Sequence, residues 1–475
     1  MRERTVHVRR RGLAASGMHP IQPCGRMRWD ASERTLTCER GAVGICWNRG
    51  VDDVKPEPGR PSIEERMLRD ALGEDLRGEL RVLSREPYGA GALTGFEESP
   101  PAGEPVQTRY WYVDTSGKRV ESETGFVLGD PEHPQARIWL HPADPRLPAL
   151  APASFPDAAA TLMGRLGVRL DRSPELLVYR PGKRAMFRMR AGERDTYLKI
   201  VRPDASASIV QLQESLRAGG VPVPLITGWS ELGIVLTETA AGTPLTGRLD
   251  ELDPERLLDS IESLREQMGA VDTGRAARAS LADRRDWYLT RIASAAERAR
   301  EGAGAGAPGR AEAPSSARFA EHLAVVTRMI ESVDASALMV DDEVLRTVHG
   351  DLHVGQLFVA EGDASAITGV IDIDTCGLGD PADDEAAFMG HLVASIVLAR
   401  RDAARAAGFR RLLDAAAGRW LAVDRPGARR VAHRTAVHVL AHALAPTERG
   451  DLEAAAAELA IGAEVLAEQL GTRGA

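Results

Sequence analysis

Three oxygen-bearing side chains lie at a spacing that suits phosphoryl transfer. An apolar run ends in a turn with Asp351 at its bend, and the amide of Gln356 follows five residues later. A second acid, Asp372, comes 21 residues after the first on a short β-type run. Phosphoryl transfer requires an acceptor for a hydroxyl proton and hard oxygen ligands for nucleotide-bound magnesium. Asp351 fits the first role, and Gln356 and Asp372 fit the second.

The residues before Asp351 favour a shaped loop. Gly350 belongs to the bend, and one hydrogen bond from the His349 imidazole could hold the backbone in place. The alternative is an acid-stabilised turn between two strands, since His, Gly and Asp are ordinary turn residues. The amide and the second acid at these spacings favour the catalytic interpretation.

This motif resembles that of a known enzyme family. His-Gly-Asp-Leu-His at 349–353, with Ile-Asp at 371–372 and Gly-Asp-Pro at 379–381, is similar to the aminoglycoside phosphotransferases, a family of kinase-like small-molecule kinases. The resemblance covers roughly residues 150–475. It implies an α+β, bilobal protein-kinase-like fold with a β-rich small lobe and a helical large lobe. It also implies an enzyme that moves the γ-phosphate of ATP or GTP to a small-molecule hydroxyl with Mg²⁺.

Gln356 departs from the family pattern, which usually has Asn at this position. A Gln here is similar to maltokinases and some related phosphotransferases. It keeps the carbonyl ligand and adds one methylene. The implied acceptors are aminoglycosides and related antibiotics, sugars, which Gln356 slightly favours, or a hydroxyl of a natural product.

Lys199 is one of only four lysines in the chain and lies on a strand-like run. In kinase-like small lobes, such a strand carries the lysine that pairs with nucleotide phosphates. A compact ammonium reaches phosphate oxygens as a point charge, whereas a guanidinium needs a wider fork. The resemblance therefore implies that Lys199 binds the nucleotide. The alternative is an edge-strand lysine that faces water.

The resemblance also implies residues around that lysine. Glu214, with Gln211 as the alternative, would pair with Lys199 from the next helix, predicted over about 205–218. Glu238 and Thr239 would form an interlobe hinge whose backbone binds the adenine edge. In place of a glycine-rich motif, Gly182 occupies the expected hairpin.

Three further acids follow the catalytic loop. Asp374 is either a further metal ligand or a structural acid. Asp380 and Asp384 are expected to brace the N-terminus of the next helix, where the helix dipole favours negative charge.

Composition shifts predict four regions. Residues 1–75 form a polar, partly disordered lead with a short helix over about 62–76, and 76–150 form a β-rich accessory segment with strands at 79–83, 108–113 and 137–140. Residues 151–245 form the small lobe and 246–475 the helical large lobe, with a low-complexity loop at 303–316. The accessory segment weakly echoes the small lobe. Coincidental strand chemistry is preferred over a degenerate copy.

Composition also excludes several classes. A net charge of −9 argues against a general nucleic-acid binder. The longest apolar stretch, 389–399, contains a histidine and ends at two arginines, so a buried helix is expected rather than a membrane span. The first 30 residues lack a secretory signal, and the four cysteines lack zinc spacing. We therefore expect a cytoplasmic enzyme that binds neither membrane nor nucleic acid, with its oligomeric state open.

A second hypothesis is a nucleotide-binding pseudokinase that acts as a scaffold, with residues 1–150 as its interaction segment. Lys199, Asp351 and Asp372 together count against it. Gln356 and the position of Glu214 near the helix end count slightly for it.

Overall fold

The structure is a computed structural model, and it describes residues 27–30, 35–38, 61–99, 108–120, 122, 124–191, 194–304 and 314–470. The chain forms two compact units. The first contains Met1–Val210 and Leu225–Thr239, and the second contains Gln211–Pro224 and Ala240–Ala475. Strands dominate the first and helices the second, as the predicted α+β class requires. The predicted disorder of the lead lies outside the described residues, as does most of the 303–316 loop.

The first unit begins with short strands and a helix and continues into two sheets. Its strands are β1 (Met27–Asp30), β2 (Thr35–Cys38), β3 (Glu79–Tyr88), β4 (Gly91–Ser99), β5 (Arg109–Asp114), β6 (Phe126–Asp130), β7 (His133–Leu140), β8 (Glu175–Arg180), β9 (Arg184–Ala191), β10 (Arg194–Val201), β11 (Ile226–Ser230) and β12 (Ile234–Glu238). Its helices are α1 (Ile63–Leu72), α2 (Leu150–Ser154), α3 (Pro156–Arg165) and α4 (Pro203–Ala218), whose last turns belong to the second unit.

The two sheets share a strand order. The accessory sheet runs β3-β4-β5-β7-β6, and the other runs β1-β2-β8-β9-β10-β12-β11, all antiparallel. In the accessory sheet, and in the part of the second sheet formed by β8 to β12, three consecutive strands are followed by the fifth and then the fourth of that set. Helix α4 joins β10 to β11 in the second sheet, whereas the described residues of 115–125, between β5 and β6, form no helix in the first. The weak sequence similarity between the accessory segment and the small lobe is thus accompanied by a similar strand order. Common descent of the two sheets stays a hypothesis.

A common core connects the two sheets. Tyr112 stacks on Trp139 at 5.6 Å between ring centroids and meets Tyr179 edge-on at 5.4 Å. Phe187 and Leu198 of the second sheet belong to the same buried cluster. The accessory strands therefore pack directly on the small-lobe strands, while the predicted boundary between residues 150 and 151 stays a prediction.

Strands β4 and β6 were not predicted from the sequence, and the strand predicted at 79–83 is shorter than β3. β4 carries Glu98, an acid that is disfavoured in a strand interior because burial of a lone charge is costly. Its carboxylate is buried but accepts hydrogen bonds from Trp111 Nε1 at 2.7 Å and from the backbone N–H of Arg77 at 2.9 Å, and it also pairs with Arg109. These partners come from other elements, so the sequence of β4 alone does not predict its burial.

The second unit is mainly helical with three small β elements. Its strands are β13 (Thr243–Pro244), β14 (Arg346–Val348), β15 (Leu357–Ala360), β16 (Asp363–Val370) and β17 (Gly377–Gly379). Its helices are α5 (Pro254–Gly269), α6 (Arg285–Gly304), α7 (Pro314–Glu331), α8 (Ala335–Leu338), α9 (Ala382–Leu398), α10 (Ala403–Trp420), α11 (Ala428–Glu448) and α12 (Leu452–Leu470).

Helix α9 lies at the centre of this unit, and two of its side chains contact the loop that follows β14. It contains most of the longest apolar stretch and is buried on nearly all sides, among its neighbours α10 and α11. The expectation of a buried helix is confirmed. Within the described part of the chain, no helix is both long enough and apolar enough to cross a membrane.

Candidate active site

The loop after β14 bends sharply at Gly350. This glycine has φ of 78°, and a Cβ there would lie 2.8 Å from the carbonyl oxygen of Thr375. Positive φ and lack of space both exclude other residues. The Thr375 hydroxyl donates to the carbonyl of His349 at 2.7 Å, so the loop is joined to the segment that follows Asp372.

The side chains of Asp384 and His349 fix this loop through hydrogen bonds. Asp384, on the first turn of α9, accepts the backbone N–H groups of His349 at 2.9 Å and Gly350 at 2.8 Å. The His349 ring donates from Nε2 to the carbonyl of Ile371 at 3.1 Å, which confirms the expected imidazole bond.

Asp380 accepts the N–H of Ala382 and so braces the helix as expected. Asp384 instead reaches back to the catalytic loop, a role the sequence did not predict.

We expect Asp384→Asn to lower the free energy of unfolding by about 3 kcal/mol, because an amide accepts only one of the two N–H groups and leaves the other buried without a partner. Urea denaturation measures this change. The control is Asp402→Asn, which keeps a good capping residue at the exposed start of α10. Equal stability of the two variants would contradict the assigned role of Asp384.

Asp351 follows the bend as a largely buried carboxylate, with its side chain 14% exposed. Its Oδ1 accepts a hydrogen bond from Nε2 of His391 on α9 at 3.2 Å. Burial by itself would raise the pKa of this carboxyl, but the His391 bond and the surrounding imidazoles outweigh burial and hold that pKa below its ordinary value. Asp351 is therefore ionised at neutral pH, as a proton acceptor must be.

Gln356 lies in a one-turn cap with His353. The backbone N–H of His353 donates to Gln356 Oε1 at 3.1 Å, and the N–H of Gly355 donates to His353 Nδ1 at 3.0 Å. Both side chains are buried. Burial lowers the pKa of His353 to about 3, so its ring is neutral. Gln356 thus has a structural hydrogen bond, and a second lone pair on the same oxygen remains for a metal.

Asp372 takes a strained backbone conformation at the end of β16. Its φ is 60° and its ψ is 43°, and among the described residues no other non-glycine has positive φ. Left-handed backbone costs about 1–2 kcal/mol for most residues, although Asp tolerates it best with Asn. The N–H of Ile371 donates to the carbonyl of Gln356 at 3.0 Å, which joins the segments that carry the two predicted metal ligands. Strain retained at a predicted ligand is typical of a functional site.

The second unit thus places Asp351, Gln356 and Asp372 on three joined segments. Gln356 and Asp372 provide two hard oxygens, and no three His, Cys, Asp or Glu side chains of the described residues form a metal cluster. Mg²⁺ usually binds one or two protein ligands, with phosphates and water completing its octahedron. The donor set therefore fits a magnesium ion that arrives with a nucleotide.

Lys199 lies on the central strand β10 of the first unit. It is opposite Met186 of β9 and Val235 of β12, so the edge-strand alternative is wrong. Its neighbours Leu198 and Ile200 are fully buried, and alternation places Lys199 on the other sheet face, where it is half-buried. Its position relative to Asp372 stays a prediction.

The remaining predicted nucleotide residues lie at element ends. Glu214 and Gln211 are exposed on α4, and a pair between Glu214 and Lys199 stays a prediction. Glu238 ends β12, and the Thr239 hydroxyl donates to the Asp195 carbonyl at 2.7 Å. The chain leaves the first unit directly after Thr239, where a hinge was expected. Adenine binding there stays a prediction.

The turn between β8 and β9 is tied to the accessory segment, a feature that the sequence did not predict. Gly182 has φ of 67°, and its N–H donates to the buried carboxylate of Asp144 at 2.7 Å. The same oxygen accepts the Tyr179 hydroxyl at 2.8 Å. Lys183 pairs with Glu86 of β3 at 2.7 Å. The expected hairpin at Gly182 is therefore bound by acids from outside the small-lobe strands.

Helix α11 carries two histidines that give the protein a pH-dependent stability. Burial lowers the pKa of His433 to about 4 and of His438 to about 3, against about 6.5 when unfolded. The unfolded chain therefore binds more protons below pH 6.5, so stability is lost as the pH falls. Each histidine contributes a slope that approaches about 1.4 kcal/mol per pH unit once the pH is about one unit below 6.5.

Urea denaturation between pH 7 and pH 5 tests this expectation. His438→Gln should reduce the slope of stability against pH by about 1 kcal/mol per unit averaged over this range, because the unfolded histidine is only partly protonated near pH 7. His133→Gln, at an exposed position, is the control and should leave the slope unchanged. Identical slopes for the two variants would contradict the assigned titration.

Comparison with known proteins identifies the class. A profile of the phosphotransferase enzyme family, APH, matches residues 182–424, just over half of the chain. The chain belongs to this family. It is therefore a small-molecule phosphotransferase, and the kinase-like fold and the family predicted from the sequence are confirmed.

Solved structures resemble the chain only distantly. A thermostable mutant of aminoglycoside phosphotransferase APH(4)-Ia is 17% identical, with a TM-score of 0.38 over 66% of this chain and 99% of that one. Spectinomycin phosphotransferase APH(9)-Ia, with ADP and spectinomycin, is 11% identical, with a TM-score of 0.42 over 65% and 98%. Macrolide 2'-phosphotransferase MphH from Brachybacterium faecium is 21% identical, with a TM-score of 0.32 over 67% and 99%. No curated protein sequence matches the chain.

Proposed function

We propose that the protein transfers the γ-phosphate of ATP or GTP to a hydroxyl of a small molecule. The observation that carries this proposal is the ionised, largely buried Asp351 on a loop joined to the segments of Gln356 and Asp372. Family membership supplies the reaction class. The nucleotide as phosphate donor is supported by the ADP complex of the spectinomycin enzyme, and it is our inference for this chain.

Each residue has a separate task in this proposal. Asp351 orients the acceptor hydroxyl and accepts its proton as the new oxygen–phosphorus bond forms. Gln356 and Asp372 would hold magnesium, which would supply positive charge to neutralise the phosphates. Lys199 binds phosphate oxygens with its ammonium group. Asp384 acts through the loop backbone by keeping His349 and Gly350 in place.

The acceptor is an aminoglycoside-like compound, a sugar or a natural product with a free hydroxyl. Gln356 supports the sugar class slightly, because that residue resembles the maltokinase pattern. Related structures carry the names of aminoglycoside, spectinomycin and macrolide phosphotransferases, which supports the antibiotic class. A cytoplasmic location stays a prediction.

An acceptor screen tests the proposal. The full chain is incubated with Mg²⁺ and ATP or GTP, and nucleoside diphosphate release is followed with hygromycin B, spectinomycin, a macrolide, maltose and glucose. We expect one compound to accelerate release well above the rate without acceptor. The control is Asp351→Asn with the same panel. Acceleration that persists in this variant would show that Asp351 is not the proton acceptor.

The pseudokinase hypothesis predicts a different result. A scaffold would bind nucleotide without any acceptor-stimulated release, and its affinity would not depend on magnesium. Calorimetric titration of the nucleotide with and without Mg²⁺ separates the two hypotheses. The combination of Asp351, Asp372 and Lys199 makes us expect a clear magnesium requirement.

A further inference from the structure

Buried histidines surround the carboxylate of Asp351, and the tasks proposed above for the transfer reaction use none of their side chains. His391 of α9 lies closest, with its side chain 4% exposed and its Nε2 at 3.2 Å from Asp351 Oδ1. Its ring centroid lies 4.4 Å from that of His353 and 4.5 Å from that of His442 on α11. An acid that only stabilised a turn between two strands would not require such a cluster of histidines.

The direction of the His391 bond follows from its acceptor. A carboxylate oxygen only accepts, so Nε2 of His391 carries a proton. The groups that face Asp351 are His391 from α9, His349 and His353 from its own loop, and His438 from α11. Of these, His353 and His438 have pKa values lowered to about 3 by burial and are neutral. Of these four histidines, His391 is the one for which the structure shows a hydrogen bond to this carboxylate.

We propose that His391 is a positioning residue for the transfer step: it fixes Oδ1 of Asp351 and leaves Oδ2 to accept the acceptor proton. The inference rests on the proposed function, because it needs Asp351 as the proton acceptor. The acceptor oxygen bonds to the γ-phosphorus as the bond to the bridging oxygen breaks. That bond's electron pair leaves with the nucleoside diphosphate, and the hydroxyl proton passes to Oδ2.

Loss of the His391 donor has two consequences. The carboxylate can rotate about its terminal torsion, which is broad for Asp, so the accepting oxygen is no longer fixed. Burial then acts with less opposition and raises the pKa of the Asp351 carboxyl. Turnover should therefore fall, and its acidic limb should move to higher pH.

Two amide substitutions separate the hydrogen bond from the shape of the side chain. His391→Gln places an amide N–H near the position of Nε2, whereas the amide of His391→Asn is shorter and reaches only the position of Nδ1. We expect His391→Asn to lower turnover about 10- to 100-fold, as for loss of a charge-assisted bond. His391→Gln should remain within about threefold of wild type. The Michaelis constant for the nucleotide should be unchanged in both.

The pKa of Asp351 provides a readout that needs no acceptor. Protein with ¹³Cγ-labelled aspartate is titrated by NMR, and Asp351→Asn assigns the signal. We expect the pKa to rise measurably in His391→Asn, because burial then acts with less opposition, and to stay near wild type in His391→Gln. Phosphate release from ATP, with water as acceptor, is measured in parallel.

The outcomes distinguish this inference from the function on which it rests. Equal Asp351 pKa values and equal rates in His391→Asn and wild type would overturn the inference alone. Turnover in Asp351→Asn at the wild-type rate would overturn the proposed function. Should His391→Asn fail to fold, the ¹⁵N shift of His391 Nε2 in otherwise unaltered protein decides. It must move on Asp351→Asn, because an amide carbonyl is a weaker acceptor of the His391 bond than a carboxylate, and no movement would overturn the inference.

Discussion

Replacing Asp351 with Asn is expected to abolish turnover while nucleotide affinity stays nearly unchanged. Asn keeps the volume and accepts the His391 hydrogen bond through its carbonyl, but it does not take a proton from the acceptor. Loss of a positioned proton acceptor should lower kcat on the order of 10²–10⁴-fold. The measurement is the steady-state rate beside a nucleotide titration of the same preparation.

Asp363→Asn is the control for this variant. Asp363 is at the start of β16 and pairs with Arg256 at a partly exposed position. Its replacement makes the same change in charge within the same unit and should leave kcat within about twofold. If both variants kept the wild-type rate, the assignment of Asp351 would be wrong.

Asp372→Ala is expected to remove nearly all metal-dependent nucleotide binding, because it deletes the only carboxylate that we assign to magnesium. Gln356→Asn should be much milder, since it keeps a carbonyl and restores the usual family residue. Gln356→Leu is similar in volume but has no oxygen, so it should raise the magnesium concentration needed for half-maximal activity. Magnesium titrations of the three variants measure these effects.

The hydrogen bond from the His353 N–H to Gln356 supports an alternative in which Gln356 has only a structural role and does not bind magnesium. If Gln356 serves only this bond, Gln356→Leu leaves a buried N–H without a partner and lowers stability by about 1–3 kcal/mol. The surviving enzyme would then keep its magnesium requirement. A thermal melt beside the titration separates the two accounts, and an unchanged requirement would contradict ligation by Gln356.

The sequence predicted the local parts of the site well. The bend at Gly350, the His349 bond and the strand of Lys199 each depend on short motifs whose chemistry is readable from neighbouring residues. The helix after the second β block is likewise signalled by its own residues, and α4 begins two residues before the predicted start. The family that these motifs suggested is confirmed by the profile match over residues 182–424.

Long-range partners were not predictable from those motifs. Asp384 contacts the loop from 34 and 35 residues away, and Asp144 reaches Gly182 from 38. His391 is an ordinary residue of an apolar stretch until folding places it 3.2 Å from Asp351. A single sequence contains the motif Gly-Asp-Pro at 379–381 but no signal that shows which later acid returns to the loop.

Strand content was underestimated for a related reason. Buried acids such as Glu98 look like surface residues in a sequence, and only their partners on other strands allow their burial. The common strand order of the two sheets is also a property of pairing over long distances. Neither can be derived from local alternation of polar and apolar residues.

A ³¹P NMR time course tests the central claim most directly. The full chain is mixed with Mg²⁺, ATP and the acceptor that most accelerates diphosphate release, beside the Asp351→Asn variant. We expect a new phosphate monoester signal to grow as the γ-phosphate signal disappears, with almost no monoester in the variant. Loss of the γ-phosphate signal with inorganic phosphate as the only product, or equal monoester formation by both proteins, would contradict the account.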